Sequence, residues 1–478
     1  MNTDKIFNSE FVLSSYLLHE KKETTSLLMN LGFFKPLFLN NASDLLSKVL
    51  KNKNQILDNE LLKKYPILTK HLIDHRILIP KNQKEEDNFN KRVYKKDGKS
   101  YSISVYLFVT QNCNLACVYC LAGKNYKKNV IMTEEIAFKS INFISNLVQT
   151  NGEIEIIFFG GEPLLNWKLI KKCILYVEQT VSKRYKDIRY RYHITTNLTL
   201  LPDDFISFVK AKNISVLTDI DGLQHDHDRL RPTLSGKGSF NTIINNVYKL
   251  IESDIPIEIR TTVTSVNENN LLEICSTLMD IGVESCAFPL LIPVDSDQKL
   301  VDKCLYPNYE IYVSQIKSII KNKIISPQKL HPVSEFVNFF SNGKITESGC
   351  GMPRGSTCIV DSEGNIYPCI YLAGNESFRL SNVRDALKNS AIFFNNAFFS
   401  KYKNKFGIDK GSCKKCIYKF ACGGGCPIIS LSIDTNTKEG QYAEKSFRSA
   451  WCAIVKASIK ILAWHIGKES NSKSAFSF

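Results

Sequence analysis

Cys113-Asn-Leu-Ala-Cys117-Val-Tyr-Cys120 sets three thiols close together, directly behind the apolar run Ile103-Ser-Val-Tyr-Leu-Phe-Val109. The run has strand character, so the cysteines fall on a loop at the carboxyl end of a strand. Three soft thiolates suit an iron–sulfur cluster, and a cubane held by three cysteines keeps one iron open to a further ligand. A structural zinc ion asks for a fourth protein ligand nearby, and His193 or a distant cysteine serves poorly. On these residues alone zinc stays in contention.

Similar apolar runs recur at 154–159, 192–196, 214–220 and 257–264, with helical patterns between them. Such alternation predicts parallel βα units, and the expected fold class is α/β with a partial (β/α)6 TIM-like barrel over residues 100–325. Chemistry then belongs at the carboxyl ends of the strands. A chain of 478 residues exceeds one ordinary core, and two flanking units are expected. Residues 1–95 lack cysteine and read as helical stretches with short strands, followed by the polar stretch Lys81–Lys91 as a linker. Residues 345–465 are short-patterned, glycine-punctuated and cysteine-dense, a segment that bound metal would organise.

Apolar content of 44% and charged content of 23% are those of a soluble globular protein. No signal-like N-terminus and no uninterrupted apolar stretch of about 18 residues is present, so the expectation is cytoplasmic with no membrane partner. Lys and Arg outnumber Asp and Glu by 62 to 47, which fits either a solvated lysine-rich surface or an acidic partner. No basic block carries interleaved aromatics, and nucleic acid is not expected as a partner.

The chain holds 15 cysteines, and a reducing compartment turns clustered thiols toward metal or redox chemistry. Cys173, Cys275, Cys286 and Cys304 sit in apolar surroundings and read as buried small hydrophobes. A second group comprises Cys350, Cys358, Cys369, Cys413, Cys416, Cys422, Cys426 and Cys452. At four thiols per cluster these complete two iron–sulfur clusters; two zinc sites satisfy the same count.

The first trio, with Tyr119 at its aromatic position, resembles the radical SAM superfamily signature C-x3-C-x-aromatic-C. Phe159-Gly160-Gly161-Glu162-Pro163 resembles that family's GGEP motif. Thr195-Thr196-Asn197 stands where relatives carry T-N-G, with Leu198 replacing the glycine. Asp219-Ile-Asp221-Gly222, His227-Asp228-Arg229-Leu230-Arg231-Pro232 and Gly236-Lys-Gly238-Ser-Phe240 resemble the "DG…HDxxRP…GxGxF" stretch of the peptide-modifying branch. The eight later cysteines, with Gly364-x4-Cys369, resemble the SPASM domain appended to enzymes that act on peptides and proteins.

The resemblance implies a [4Fe-4S] cluster on Cys113, Cys117 and Cys120, whose free iron chelates S-adenosylmethionine and whose electron breaks the sulfonium to yield a 5′-deoxyadenosyl radical. It implies contacts to S-adenosylmethionine from Tyr119, Gly160, Gly161, Glu162, Asn197, Asp221 and Arg231, with Glu162 receiving the ammonium and Arg231 gripping a carboxylate in two places. It implies one auxiliary cluster on Cys350, Cys358, Cys369 and Cys426 and another on Cys413, Cys416, Cys422 and Cys452, three clusters in all. Tyr371 and Asp221 read as packing or turn residues, and no catalytic base is named.

Three functions are weighed. The first is an oxidoreductase that crosslinks side chains of a ribosomally made precursor peptide, in natural-product or antibiotic biosynthesis. Thr24-Thr25-Ser-Leu-Leu-Met-Asn-Leu-Gly, as the start of a hairpin, and Leu72–Pro80, as a closing strand, resemble the winged-helix-like, PqqD-like module that captures leader peptides. The implied partners are a precursor peptide with its leader and an electron donor such as flavodoxin or ferredoxin. The second is an anaerobic sulfatase maturase forming formylglycine; such relatives carry an aspartate right after the cysteine of G-x4-C, where this chain has Ile370. The third is a zinc-binding, non-enzymatic scaffold.

Overall fold

The computed structural model describes residues 10–40, 43–51, 56–57, 59–83, 85, 100–121, 129–295, 299–337, 340, 350–352, 355–388, 393 and 411–470. Most of the expected linker at 81–91 lies outside them.

Seven parallel strands follow one another around an open barrel: β6 (Ser100–Thr110), β7 (Val148–Gly160), β8 (Arg189–Thr195), β9 (Ser215–Asp219), β10 (Ile257–Arg260), β11 (Ser285–Ala287) and β12 (Leu330–His331). One more strand is present than the six expected, and β12 falls beyond residue 325. Each pair of neighbours is parallel and in sequence order. The crossovers are helical: α4 (Glu134–Ser145), α5 (Trp167–Tyr176), α6 (Phe205–Lys212), α7 (Gln224–Leu230) with α8 (Phe240–Glu252), α9 (Leu271–Ile281) and α10 (Tyr309–Lys321). Thr133 starts α4 by accepting a hydrogen bond from Ile136 N at 3.3 Å, with Glu134 and Glu135 in the first turn, where acidic side chains favour the helix dipole.

The period of two along β6 decides which face does what. Ile103, Val105, Leu107 and Val109 pack outward with Ile136, Ile141 and Ile144 of α4. Tyr106 and Phe108 point inward and meet Phe159, Ile359 and Tyr367. Full burial of each outward aliphatic contributes about 1.5–3 kcal/mol.

The C-terminal segment joins this sheet. β13 (Thr357–Val360) runs parallel to β6 on its free side, and β14 (Asn365–Tyr367) and β15 (Ser381–Asn382) add antiparallel strands, completing ten. A long helix, α11 (Lys438–Ser470), is the last element among the described residues.

The N-terminal unit holds an antiparallel sheet of β2 (Leu17–Lys22), β3 (Thr25–Asn30) and β4 (Leu37–Asn40). A separate pair joins β1 (Phe11–Leu13) to β5 (Leu78–Pro80). Helices α1 (Ser43–Lys51), α2 (Asn59–Lys64) and α3 (Pro66–Asp74) complete it. The expected hairpin at Thr24 is present. The expected strand at Leu72–Pro80 is shorter, because Leu72 belongs to α3 and the strand begins only at Leu78. Leu17, Leu28, Leu37 and Leu39 pack on the local helices, while Leu18, Leu27 and Met29 join the main core. α11 covers this face: Trp464 lies 5.5 Å from Phe38 and donates to Glu20 at 3.1 Å. Among the described residues no helix is long and apolar enough to cross a membrane.

Candidate active site

The carboxyl ends of the barrel strands surround a cavity of about 550 Å³, within the usual size of small-molecule sites. Cys113, Cys117 and Cys120 all line it. Their loop is held by backbone pairing with the end of α7 and the residues that follow it: Ala116 N donates to Pro232 O at 2.7 Å and Val118 N to Leu230 O at 3.0 Å. The His227–Pro232 stretch is therefore the edge on which the cysteine loop is laid.

Gly160 and Gly161 line the cavity and also press against that loop. A side chain at Gly160, whose φ is +139°, would meet Thr110 O at 2.1 Å, and one at Gly161 would meet Asn112 O at 2.2 Å. Only glycine admits this approach. Glu162, by contrast, is fully buried and does not line the cavity. Its carboxylate accepts from Leu164 N at 2.9 Å, Thr196 Oγ1 at 2.6 Å and Asn197 N at 2.7 Å. Burial raises its pKa to about 7 against these bonds. The side chain ties the turn after β7 to the turn after β8.

Asn197 lines the cavity and donates to Asn114 Oδ1 at 3.0 Å and to Cys113 Sγ at 3.8 Å; Leu115 N donates to the same sulfur at 3.4 Å. Leu198 has a left-handed backbone, with φ +54°. That conformation costs a non-glycine residue about 1–2 kcal/mol. Full burial of the side chain and the Asn246 Nδ2 bond to its carbonyl, 3.0 Å, offset it.

Arg231 is nearly buried, at 6% exposure. Its Nη1 donates to Tyr119 Oη at 2.9 Å and to Asp221 at 3.5 Å, and its Nη2 to Asp219 at 3.2 Å. Tyr119 donates to Asp221. Nε alone of the guanidinium is buried without a partner, and both Nη atoms bond side chains of the protein. Arg260, which sequence reasoning missed, holds Asp219 from the other side at 2.6 Å. Burial works against the charge of Asp219, yet Arg260 and Arg231 keep its pKa below the ordinary value. Asp221 is buried and does not line the cavity; burial, with Asp219 nearby, raises its pKa. His227 accepts from Asp221 N at 3.2 Å and meets Ser239 Oγ at 3.0 Å, and burial lowers its pKa to about 3. It is a neutral strut beneath Arg231, whose carbonyl Ser239 Oγ also holds at 2.7 Å.

The later thiols fall into two groups. Cys369 feels the charges of Cys350 and Cys426. Cys422 feels Cys452 and Cys413, and Cys452 feels Cys413 and Cys416. Cys358 belongs to neither. β13 sets it opposite Val105 of β6, on the outward face with Val360, while the inward Tyr106 feels Cys369 and Cys350. Burial is the sole cause raising its pKa. The structure thus places it in the core, on the face away from the other three thiols of its expected set. Replacing Cys358 with alanine is expected to leave iron content per chain unchanged, at a stability cost of about 1–2 kcal/mol, read by iron analysis and thermal unfolding; loss of iron would restore it as a ligand.

Tyr371 and Ile370 reach the cavity from the C-terminal segment. The Tyr371 phenol is pushed above its usual range by burial, with Cys426, Cys369 and Cys120 acting on it. It thus stands between the first trio and a later thiol group, not in the packing role expected. The donor set has the chemistry of an iron–sulfur site: three thiols on one loop open to one cavity, Leu115 N and Asn197 Nδ2 donate to Cys113 Sγ, and burial raises the Cys117 thiol to about 12, so that metal binding is what releases its proton; among the described residues no three His, Cys, Asp or Glu side chains stand close enough to hold a single metal ion.

Residues 107–278 match the Radical SAM superfamily. The chain is 34% identical to an uncharacterized protein of Methanocaldococcus jannaschii over 61% of this chain and 91% of that one. It is 22% identical to the cysteine-type anaerobic sulfatase-maturating enzyme of Clostridium perfringens, over 71% and 92%. Among solved structures, anSMEcpe with bound AdoMet and Cp18Cys peptide superposes with a TM-score of 0.62 at 21% identity, covering 76% of this chain and 99% of that one. Streptococcus suis SuiB bound to precursor peptide SuiA gives 0.51 at 13%, covering 88% and 97%. With this match lying on the strands and loops that carry the three cysteines, the chain belongs to the radical SAM superfamily, whose cofactors are a [4Fe-4S] cluster and S-adenosylmethionine.

Proposed function

We propose that this protein is a radical SAM oxidoreductase that modifies a precursor peptide by crosslinking its side chains. Cys113, Cys117 and Cys120 would hold the [4Fe-4S] cluster, and together with S-adenosylmethionine it supplies a 5′-deoxyadenosyl radical. Gly160, Gly161 and Asn197 bound the space beside those thiols, and Arg231, fixed by two aspartates, sets its electrostatics. Cys350, Cys369 and Cys426 would hold one auxiliary cluster and Cys413, Cys416, Cys422 and Cys452 the other, in a SPASM-type C-terminal unit. The N-terminal sheet would take the leader as an added strand, and the basic surplus favours an acidic leader. A flavodoxin- or ferredoxin-like donor in the cytoplasm would supply electrons.

The observation that carries this reading is the Ile370–Tyr371 wall. It lines the cavity of the first trio while following Cys369 directly in sequence, so the site of hydrogen removal and a later thiol group share one wall. Two fold relatives were solved with peptides bound, which supports a peptide as the partner. Formylglycine formation is the second reading, favoured by the sulfatase-maturating relatives. Ile370 counts against it, since an apolar side chain occupies the position where those enzymes place an aspartate, and here that position faces the cavity.

Anaerobic co-expression with the peptide encoded by a short reading frame beside the gene tests the proposal. The expected product is that peptide lighter by two hydrogens per crosslink. Formylglycine in a co-expressed sulfatase, with the short peptide untouched, would contradict it.

A further inference from the structure

We propose that Glu258 accepts the proton that the crosslinking reaction releases. This rests on the peptide reading. In that reaction the 5′-deoxyadenosyl radical takes a hydrogen atom from a substrate C–H. A substrate X–H, with X carbon, oxygen or sulfur, then joins the carbon-centred radical. One electron leaves to an iron–sulfur cluster and one proton leaves from X. Carbon–hydrogen and X–H bonds are lost, a carbon–X bond and the C–H of 5′-deoxyadenosine are gained, and the proton needs a base at the site.

Among the described residues the cavity offers few. Its acidic side chains are Asp219 and Glu258. Asp219 is neutralised by Arg231 at 3.2 Å and Arg260 at 2.6 Å. Tyr119 donates to Asp221, and the Tyr371 phenol holds its proton because burial opposes the phenolate. Lys329 is paired with Glu284 at 2.8 Å. His331 Nε2 is bound to Glu335 at 2.7 Å, and its Nδ1 is buried with no partner, so neither nitrogen opens to a substrate.

Glu258 differs from all of these. It lies on β10 two residues before Arg260, on the inward face, and is only partly buried. Ser285 Oγ of the neighbouring strand donates to its Oε2 at 3.0 Å, steering the carboxylate, and it makes no ion pair among the described residues. The groups acting near it are His193 from β8 and Arg260 beyond it on its own strand. Ile259, between the two charged residues, is fully buried outward. The alternation therefore aims a carboxylate into the cavity, one layer below Asp219 and Arg260 and level with Leu217.

The test uses full-length protein with Glu258→Gln and Glu258→Asp, co-expressed with the neighbouring precursor peptide and then assayed with it anaerobically. Thermal unfolding, iron content and peptide binding of each variant report folding apart from turnover. Glu258→Gln is expected to keep peptide-stimulated 5′-deoxyadenosine formation, including transfer of deuterium from labelled peptide, while crosslinked product per 5′-deoxyadenosine falls about 10²-fold. Glu258→Asp recovers part of the ratio. A wild-type ratio in folded Glu258→Gln overturns this assignment alone. A wild-type enzyme that makes no modified peptide overturns the peptide reading, and this assignment with it.

Discussion

Alanine in place of Cys117 abolishes 5′-deoxyadenosine formation from S-adenosylmethionine and leaves the fold intact. Cys117 is one of three thiols lining the cavity, and its neighbours Cys113 and Cys120 act on it electrostatically. Two thiolates cannot retain a cubane that keeps a single iron open. The substitution removes one sulfur from a loop whose backbone is fixed by bonds from Ala116 and Val118 to the 230–232 segment. The stability cost is accordingly about 1 kcal/mol. Product analysis after anaerobic reconstitution, set beside thermal unfolding of metal-free protein, separates the two effects. Residual 5′-deoxyadenosine near the wild-type rate would show that another residue completes the site.

Arg231→Met destabilises the metal-free protein by about 3–5 kcal/mol, because breaking a buried ion pair leaves charge behind without a partner. The guanidinium joins Asp219, Asp221 and Tyr119. Asp219 keeps Arg260, whereas Asp221 keeps only neutral donors, Tyr119 and Thr262 N at 2.8 Å. The loss therefore falls mainly on Asp221, whose carboxyl burial already raises. Adding Asp221→Asn should return a good part of the stability, since the orphaned charge goes with it. Cluster-free unfolding midpoints of the single and double variants check this. Additive losses would place Arg231's contribution elsewhere. Arg231→Lys should recover little, because an ammonium cannot reach both aspartates in the guanidinium's planar geometry.

Much of this site was legible from residue spacing. The cysteine trio and the glycine pair are local motifs at strand ends, which the barrel brings together, and the later thiols stood out by their number and spacing. Side-chain direction was the part that spacing does not encode. Glu162 and Asp221 sit within motifs that line the cavity but turn away from it to bond backbone amides. Cys358 is an apt distance from Cys369 in sequence, yet one step along β13 decides which face it occupies, and it falls outward. Arg260 and Glu258 were readable in principle, since Ile257-Glu-Ile-Arg260 alternates apolar and charged residues, but a half-exposed surface strand has the same pattern. The seam between the N-terminal sheet and α11 joins Glu20 to Trp464, residues far apart in sequence, and no local signal marks it.

The central claim is that three separate thiol sets serve iron–sulfur chemistry in one chain. Iron and acid-labile sulfide analysis of the anaerobically purified and reconstituted protein tests it most directly. About twelve irons per chain, four for each cubane, is the result expected. Stoichiometric zinc with no iron would contradict it.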